Sequence, residues 1–335
     1  MTLERLAALS PAQLSSQLVL GNWYQLVEAE FTKTHIPDNP QGTFSVAFGA
    51  QFDGENFEDI LNFLNANNIL VSGVCRYQPD SQLAPAICFY SNDFNGSLNP
   101  LVMNEFAHAK GFQLVQLNTP PNLHEPGLLV MDMDSTAITI ECIDEIARLA
   151  NVYDEVAAVT AQAMAGKLDF SESLYQRVAK LEGIEQSLID ELKSTLPLMP
   201  GIDALCRVLK QHNWYLAIAS GGFVPFAKQV QTLLNLDEVH ANELEFKDNK
   251  LTGKVLGTIV DANQKARVLD MLQKQLSLPS HQTVAIGDGA NDLVMMKEAG
   301  LGVAVHGKPK VVEQAQAAIC EGSLLQLLYL LTIPK

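Results

Sequence analysis

Cysteine and histidine are scarce in this chain and lie far apart. The five cysteines form no CxxC pair, and the seven histidines show neither HxxH nor HExxH spacing. Zinc sites and disulfide frameworks require such clusters, so we expect neither. Free buried thiols in a reducing compartment explain the cysteines better and indicate a cytoplasmic protein. The cysteines are Cys75, Cys88, Cys142, Cys206 and Cys320.

Positive charge is also scarce. The chain has 22 lysines and arginines against 38 aspartates and glutamates, which gives a formal net charge of −16. Because this field repels phosphate backbones, we do not expect nucleic acid as a partner. A small anionic substrate can bind only where local cations or a metal ion reverse the field.

Long apolar runs are missing near both ends of the sequence. The stretch MTLERLAALS has no apolar core of the length found in signal peptides. The stretch SLLQLLYLLTI is too short to span a bilayer. We therefore expect no membrane association.

The chain is long enough for two or three domains. It has 335 residues, of which 47% are apolar, and this is enough to form a core in each domain. The stretch NTPPNLHEPG, at 118–127, holds three prolines and a glycine, a composition typical of a linker. We predict an N-terminal domain at 1–120, a linker at 121–127 and a second domain at 128–335.

The N-terminal region alternates strand patterns with helix patterns. The stretch TFSVAFG alternates apolar residues with period two, which predicts a strand. The next pattern is an amphipathic helix, and strand, strand, helix and strand patterns follow up to residue 118. The order βαββαβ predicts a ferredoxin-like α+β domain, and it resembles the order of ACT-type regulatory domains. Ahead of it we expect a helical segment and then an irregular stretch to about residue 42.

The second domain shows three short apolar runs, GLLVMD, WYLAIAS and QTVAIGD, each followed by a helical pattern. This alternation predicts a doubly wound parallel sheet, an α/β fold. The residues at about 141–199, between the first two runs, look helical and lack strand signals, so we expect a helical cap over the sheet. The stretch ELEFKDNKLTGKVLG predicts a hairpin that turns at Asp248 and Asn249.

Polar residues follow the three predicted strands of this domain, at the sheet edge where ligands bind in such folds. Crowded carboxylates repel each other unless a cation shares them, and oxygen ligands favour Mg²⁺. A lysine, Lys265, precedes the third strand. The other residues are Asp132, Asp134, Ser220, Gly221, Asp288, Asn291 and Asp292.

The spacing of Asp132 and Asp134 raises a geometric question. One intervening residue would place the two side chains on opposite faces of a regular strand. They can converge only if the chain leaves strand geometry, and Ser135 and Thr136 predict a turn there. The backbone N–H groups of these two residues could point at an anion. A carboxylate beside a metal ion and an anion site can attack phosphorus.

Four motifs in one order carry a family resemblance. DMDST, SGG, the segment around Lys265 and GDGAND resemble the motifs of the haloacid-dehalogenase-like superfamily in its phosphatase form, over about 126–330. The stretch AMAGKLDFSESLYQRVAKLEG, with Glu141, resembles the cap of the phosphoserine phosphatases in that superfamily. The resemblance implies a Rossmann-like α/β fold with a helical cap, and Mg²⁺-dependent hydrolysis of L-phosphoserine to L-serine.

The resemblance also implies roles for the residues that transfer the phosphoryl group. Asp132 would attack phosphorus and form an aspartyl-phosphate. Asp134 would protonate the leaving serine hydroxyl and then deprotonate the hydrolytic water. Mg²⁺ would be bound by Asp132, by the backbone carbonyl of Asp134 and by Asp288. Asp292 would steady the metal site or Lys265.

The remaining implied roles concern the substrate. Lys265 and Ser220, with the amide of Gly221, would bind phosphoryl oxygens, and Asn291 would approach the substrate. The substrate ammonium group would meet Glu141. Its carboxylate would meet Arg177, since a guanidinium can donate two parallel hydrogen bonds to a carboxylate.

Several of these residues have structural alternatives. Asp134 could cap a helix, and Lys265 could be an ordinary solvated helix residue. Glu141 and Arg177 could lie on the wet face of the cap. The glycines after Ser220 could form only a tight turn. Two apolar cap residues, Met164 and Phe170, could belong to the core or could shield the substrate.

Two functional alternatives stay open. The chain could act on another small phosphomonoester, or pass the phosphoryl group to another alcohol. It could instead be a ligand-sensing protein in which the βαββαβ domain is the working part. For that domain we expect a role in homodimer formation or in sensing the product.

Overall fold

The computed structural model describes residues 6–28, 30–37, 42–92 and 96–334. Within these ranges the chain forms two β-sheets, each covered by helices. No helix in these ranges has the length and apolar character needed to cross a membrane.

The first sheet has six antiparallel strands in the order β2-β1-β4-β5-β3-β6. Helices α2 and α3 cover one face, and the other face packs on the second half of the chain. The order β3-α2-β4-β5-α3-β6 confirms the predicted ferredoxin-like unit. The elements are α1 Pro11–Gln17, β1 Trp23–Val27, β2 Glu30–Thr34, β3 Thr43–Phe48, α2 Gly54–Ala66, β4 Gly73–Tyr77, β5 Ala86–Ser91, α3 Pro100–Ala109 and β6 Gln113–Leu117.

The prediction of an irregular stretch before residue 42 was wrong. This stretch contains the hairpin of β1 and β2, which extends the sheet by two strands. The edge strand β2 has no fully buried residue. Apolar periodicity reports burial, and an edge strand held by backbone hydrogen bonds need not show it.

The second sheet has seven strands in the order β10-β9-β8-β7-β11-β12-β13. All neighbours are parallel except β9 and β10, which form the predicted hairpin. Asp248 and Asn249 turn it with φ of 52° and 60°. The strands are β7 Leu128–Met131, β8 Tyr215–Phe223, β9 Glu238–Lys247, β10 Lys250–Leu256, β11 Thr283–Gly287, β12 Leu301–Val305 and β13 Ala317–Ile319.

The helices of this half confirm the doubly wound α/β fold and the helical nature of the 141–199 region. Four helices form that cap, and the others flank the sheet. Strands β12 and β13 were not predicted, because they are short and rich in glycine and alanine. The helices are α4 Cys142–Leu149, α5 Tyr153–Met164, α6 Phe170–Ala179, α7 Gln186–Ser194, α8 Ile202–Gln211, α9 Val224–Leu234, α10 Ala262–Gln275, α11 Leu293–Glu298, α12 Pro309–Gln314 and α13 Leu328–Leu331.

The segment predicted as a linker is packed against the second sheet. The N–H of Leu123 donates to the carbonyl of Leu331 at 2.8 Å, and Trp214 Nε1 donates to the carbonyl of Leu123 at 3.0 Å. Its proline content therefore marks a fixed connection rather than a loose tether. The boundaries 1–120, 121–127 and 128–335 stay predictions.

The two halves also share a hydrophobic core. The rings of Phe48 and Tyr329 stack with centroids 4.9 Å apart. Tyr77 Oη donates to the carbonyl of Tyr329 at 2.6 Å, and Tyr329 Oη donates to the carbonyl of Ala84 at 2.5 Å. These buried contacts fix the first sheet against the C-terminal part of the chain.

Candidate active site

The chain leaves strand geometry directly after β7, as the spacing of the two aspartates predicts. The N–H of Asp132 still donates to the carbonyl of Ile286 in β11, at 3.0 Å. The next residues form a tight turn in which Ser135 has a φ of 55°. Met133 donates its N–H to Asp132 Oδ1 at 2.7 Å. The turn therefore orients the Asp132 carboxylate at the carboxyl end of the sheet.

The expected anion site at the backbone of Ser135 and Thr136 was wrong. The N–H of Ser135 donates to the carbonyl of Ile140, and the N–H of Thr136 donates to the carbonyl of Met133, each at 3.2 Å. A turn this tight uses its own amides to satisfy its own carbonyls. The side chain of Thr136, and not its amide, faces the site, since Thr136 Oγ1 donates to Asp288 Oδ1 at 3.1 Å.

Lys265 lies between two carboxylates. Its Nζ is 2.7 Å from Asp132 Oδ2 and 2.7 Å from Asp292 Oδ1, and the side chain is 1% exposed. The solvated-helix alternative is therefore wrong. Burial alone would lower the pKa of Lys265, but the charges of Asp132 and Asp292 outweigh it and raise that pKa. The lysine stays protonated and neutralises part of the acidic site.

Asp292 is fully buried and held on three sides. One oxygen binds Lys265, and the other accepts the N–H of Gly289 at 3.0 Å. A Cβ on Gly287 would lie 2.4 Å from the Asp292 carboxyl group, so only glycine fits there. This glycine lets β11 approach the carboxylate directly.

Three carboxylates form a cluster that could bind a metal ion. One oxygen from each of Asp132, Asp288 and Asp292 lies within 4.8 Å of the others. Burial, followed by the charge of Asp132, raises the pKa of Asp288. An all-oxygen set with excess negative charge suits a hard divalent cation. The predicted ligand set, which used the backbone carbonyl of Asp134 in place of Asp292, stays a prediction.

Asp134 is half-buried and has a strongly shifted pKa. Burial, followed by the charge of Glu141, raises the pKa of Asp134 to about 8. Within the described ranges its Oδ1 is buried and has no hydrogen-bond partner. A Cβ on Gly222 would lie 2.8 Å from Asp134 Oδ2, so the glycine leaves room for the carboxyl group. Asp134 caps no helix, since α4 begins after Glu141.

The Ser220 segment approaches Asp134 from the neighbouring strand. Ser220 is 1% exposed, and its Oγ accepts the N–H of Gly222 at 3.0 Å. Strand β8 continues through Gly221, so this segment is extended rather than the tight turn of the structural alternative. Pairing between β8 and β9 is interrupted here, between Ala219 and Phe223. The side chain of Ser220 is thus fixed from within its own segment.

The cap lies directly over this segment. A Cβ on Gly221 would lie 2.8 Å from Phe170 Cζ at the start of α6. Phe170 is half-buried and packs against the main core. Met164, the other apolar candidate, is 75% exposed at the end of α5, so it neither joins the core nor covers the site.

Glu141 and Arg177 face the same cleft from the cap. Glu141 Oε1 accepts the hydroxyl of Ser135 at 2.8 Å. Glu141 is exposed as a whole residue, but desolvation of its carboxyl group, followed by the charges of Asp288 and Asp132, raises the pKa of Glu141. Desolvation lowers the pKa of Arg177, against the influence of nearby acids. Arg177 Nε donates to the carbonyl of Ser173 at 3.4 Å, and among the described ion pairs none involves Arg177. The terminal nitrogens of its guanidinium have no described partner.

Asn291 completes the set of predicted residues. It is half-buried in a short 3₁₀ turn after β11, next to Gly289 and Asp292. All ten predicted site residues therefore lie on the loops at the carboxyl ends of β7 and β11, in the last residues of β8, on the Lys265 helix, or on the cap.

Sequence reasoning missed two polar residues at this site. The hydroxyl of Thr136 binds Asp288, and its position inside DMDST could have suggested this contact. Asn242 in β9 is fully buried and binds the carbonyl of Gly221 at 2.8 Å. Its buried position could not be predicted, because a single asparagine in a strand pattern is normally a surface residue.

Comparison with known proteins agrees with this geometry. A family model described as haloacid dehalogenase-like hydrolase matches residues 127–300. A phosphoserine phosphatase from Vibrio cholerae is 53% identical over 276 residues, which are 82% of this chain and 80% of that protein. A phosphoserine phosphatase from Haemophilus influenzae is 48% identical over 228 residues, 68% of this chain and 73% of that protein.

A solved structure shares the fold of both halves. The unliganded crystal structure of a "probable phosphoserine phosphatase" from Vibrio cholerae has a TM-score of 0.70 and 40% identity, with 86% of each chain covered. The matched 86% is more of the chain than residues 128–335 contain, so the match also includes much of the first sheet. The chain therefore belongs to the haloacid dehalogenase-like hydrolase family and, within it, to the phosphoserine phosphatases.

Proposed function

We propose that this chain hydrolyses L-phosphoserine to L-serine and phosphate through an aspartyl-phosphate on Asp132. One observation carries the proposal: a cap that presents a carboxylate, Glu141, and a guanidinium without a described ion pair, Arg177, beside Asp132 and Asp134. Phosphoserine carries an ammonium and a carboxylate beside its phosphate, so it matches this arrangement of charges. The names of the relatives that are about half identical support the same substrate.

The proposed cofactor is Mg²⁺. Among the described residues of the site, Lys265 and Arg177 carry positive charge, and the carboxyl groups outnumber them. The site therefore needs further positive charge before it can accept a phosphate. When bound, Mg²⁺ supplies that charge to the phosphoryl oxygens. Asp132, Asp288 and the backbone carbonyl of Asp134 would hold it. The acidic groups of the site are Asp132, Asp134, Glu141, Asp288 and Asp292.

The proposed nucleophile is Asp132. Met133 and Lys265 each bind one of its carboxylate oxygens, which fixes the orientation of the carboxylate. A new bond forms between this carboxylate and phosphorus while the bond from phosphorus to the serine oxygen breaks. Asp292 contributes by holding Lys265 in place.

The proposed general acid and base is Asp134. Its raised pKa keeps it protonated at neutral pH, so it can give a proton to the departing serine oxygen. The resulting carboxylate then takes a proton from the water that attacks the aspartyl-phosphate. Phosphate leaves, and both aspartates return to their starting states.

The remaining residues bind the substrate. Ser220, the amide of Gly221 and Lys265 would donate hydrogen bonds to phosphoryl oxygens, on which charge is concentrated during transfer. Asn291 would contact the substrate from the β11 loop.

The cap residues would recognise the amino acid part of the substrate. Glu141 would bind the ammonium and Arg177 the carboxylate, in a cleft that Phe170 partly covers. Each of these charge pairs would discriminate against substrates that lack the matching group.

Phosphate release from L-phosphoserine, with and without Mg²⁺, tests the proposal. We expect turnover that EDTA abolishes and Mg²⁺ restores. A panel of small phosphomonoesters, with free alcohols as acceptors, tests the two enzymatic alternatives. Preference for a phosphate ester without an amino acid group, or transfer to an alcohol in place of water, would contradict the proposal. Absence of turnover on every ester would leave ligand sensing as the better explanation.

For the N-terminal region we propose a role in homodimer formation or in sensing the product serine. The ferredoxin-like order of β3-α2-β4-β5-α3-β6 supports this role. We also propose a cytoplasmic location, which the scattered buried thiols and a small-molecule substrate support.

A further inference from the structure

Asn242 is a buried residue with both ends of its carboxamide fixed. It lies in β9 and has no exposed surface. Its Nδ2 donates to the carbonyl of Gly221 at 2.8 Å, and its Oδ1 accepts the N–H of Val260 at 2.9 Å. Because one partner is an acceptor and the other a donor, only one orientation of the amide fits.

The bond to Gly221 continues to the hydroxyl of Ser220. The carbonyl of Gly221 and the N–H of Gly222 belong to one peptide group, and that N–H donates to Ser220 Oγ at 3.0 Å. A hydrogen bond accepted by the carbonyl polarises the peptide and strengthens its N–H as a donor. Asn242, this peptide and Ser220 thus form one chain of hydrogen bonds.

This chain leaves the proton of the Ser220 hydroxyl available. A hydroxyl has one proton and two lone pairs. Since the N–H of Gly222 occupies one lone pair, the proton stays available to a second partner. A phosphoryl oxygen would be that partner.

The segment of residues 220–222 needs a hydrogen bond from outside to fix its backbone, because only Ser220 in it has a side chain. Ladder pairing between β8 and β9 is interrupted between Ala219 and Phe223. A larger residue at either glycine would displace a neighbouring side chain, since a Cβ on Gly221 would meet Phe170 and one on Gly222 would meet Asp134. The side chain of Asn242 replaces the missing ladder bond.

The other end of the carboxamide reaches the Lys265 helix. Val260 directly precedes Asp261, whose side chain caps α10 by accepting the N–H of Gln264 at 2.8 Å. Lys265 follows one turn later. One side chain therefore ties together the backbones that carry two phosphate-binding groups.

We infer that Asn242 is a positioning residue for phosphoryl transfer, acting through Ser220 and the Gly221–Gly222 peptide. This inference rests on the proposed phosphatase function, but not on the identity of the amino acid part of the substrate. It assigns a role in transfer to a residue that lies outside the four motifs and would not touch the substrate.

A double-mutant cycle tests this assignment. Asn242→Ala and the isosteric Asn242→Asp are each measured alone and combined with Ser220→Ala, with L-phosphoserine and with p-nitrophenyl phosphate. We expect each single Asn242 variant to lose roughly 10- to 100-fold in kcat/KM on both esters. In the Ser220→Ala background most of that loss should disappear, because the group through which Asn242 acts is gone.

Calorimetric binding of inorganic phosphate gives a second readout that needs no turnover. Both Asn242 variants should bind phosphate more weakly than the unchanged chain, and equally weakly once Ser220 is also replaced. Turnover of p-nitrophenyl phosphate without turnover of L-phosphoserine would contradict the proposed substrate while leaving this test intact.

Gln282 provides a matched control. It is 1% exposed and binds the backbone at Asn122, Glu125 and Pro126, at the start of β11 and away from the aspartates. Gln282→Ala should lower Tm and leave kcat/KM unchanged. If the Asn242 variants lose activity by the same factor with and without Ser220, or if neither variant folds, Asn242 is a structural residue and the inference is wrong.

Discussion

The two sheets of this chain differ in the charge of their buried polar side chains. At the carboxyl edge of the second sheet, buried Lys265 pairs with both Asp132 and Asp292. In the strands of the first sheet the described buried polar side chains are all uncharged. Several of their atoms, like Asp134 Oδ1 at the second sheet, have no hydrogen-bond partner. They are Trp23 Nε1, Thr43 Oγ1, Ser91 Oγ and Gln116 Nε2.

The strand directions explain this difference. Parallel strands all end at one edge, so residues from β7, β8 and β11 meet there although they lie far apart in sequence. Antiparallel strands end alternately at opposite edges, and the first sheet accordingly gathers no acidic cluster among the described residues. We therefore assign the proposed catalytic chemistry to the second sheet. The first sheet contributes apolar side chains that pack against the second half of the chain.

The sharpest way to test this contrast is to remove the proposed nucleophile, Asp132. Asp132→Asn should lose almost all turnover, by roughly 10⁴-fold or more, because the amide cannot form the acyl phosphate. The chain should stay folded, since the change keeps the shape of the side chain. Steady-state kinetics and circular dichroism check both statements.

Binding of a phosphate mimic tests the same assignment. Beryllofluoride, which mimics an acyl phosphate, should protect the unchanged chain against unfolding and should not protect Asp132→Asn. Substantial turnover by Asp132→Asn would show that another group attacks phosphorus, and the division between the two sheets would lose its chemical basis.

Arg177 should decide which ester is preferred. Arg177→Ala should raise KM for L-phosphoserine strongly, since losing one partner of a desolvated charge pair costs about 2–5 kcal/mol. The effect on p-nitrophenyl phosphate, which has no carboxylate, should be small. Kinetics on both esters provide the measurement and its control. Equal losses on both would make Arg177 a structural residue of the cap.

Much of this architecture is predictable from sequence, because burial and motif order leave visible patterns. The apolar run Leu128–Met131 marks a buried strand, and the two aspartates after it mark its functional end. Periodicity also locates the helices α2 and α3. These features are visible because each depends on residues close together in the chain.

The features that sequence did not reveal depend on backbone N–H and carbonyl groups, which every residue type except proline carries alike. The hairpin of β1 and β2 is held by backbone bonds that almost any residue can make. The amides of Ser135 and Thr136 turned inward because the local turn required them. Asn242 and Tyr329 act through carbonyl groups, which leave no trace in the identity of the residues that carry them.

The crowded carboxyl groups should make the metal-free protein sensitive to pH. The pKa of Asp134 is about 8 in the folded chain against an ordinary value of 3.8. Between these values the folded chain keeps a proton that the unfolded chain releases, so rising pH favours unfolding. The raised pKa values of Glu141 and Asp288 act in the same direction.

We therefore expect the Tm of the EDTA-treated protein to fall as pH rises from about 4 to about 8. Mg²⁺ should restore Tm most at the upper end, because it binds only the folded cluster. Asp134→Asn serves as the control and should show a shallower slope. Identical slopes for both proteins would mean that Asp134 does not titrate as its burial requires.

The smallest expected effect on catalysis comes from deleting the first sheet. A fragment beginning at Leu123 keeps every proposed site residue and the bonds from Leu123 to Leu331 and Trp214. It loses the stacking of Phe48 on Tyr329, worth about 0.5–1.5 kcal/mol beyond buried area. It also loses the Tyr77 and Ala84 hydrogen bonds, each worth about 0.5–1.5 kcal/mol.

We expect this fragment to fold and hydrolyse L-phosphoserine with nearly unchanged kcat/KM, but with a lower Tm and an apolar surface around Tyr329 that promotes association. Kinetics and light scattering on the full chain and the fragment measure both. Serine inhibition, compared in the same two proteins, tests the proposed sensing role, and light scattering tests the proposed dimer. Equal inhibition and the same number of subunits in both proteins would exclude these two roles. An inactive but folded fragment would show that the first sheet shapes the active site through Tyr329, and the separation of chemistry from packing would then fail.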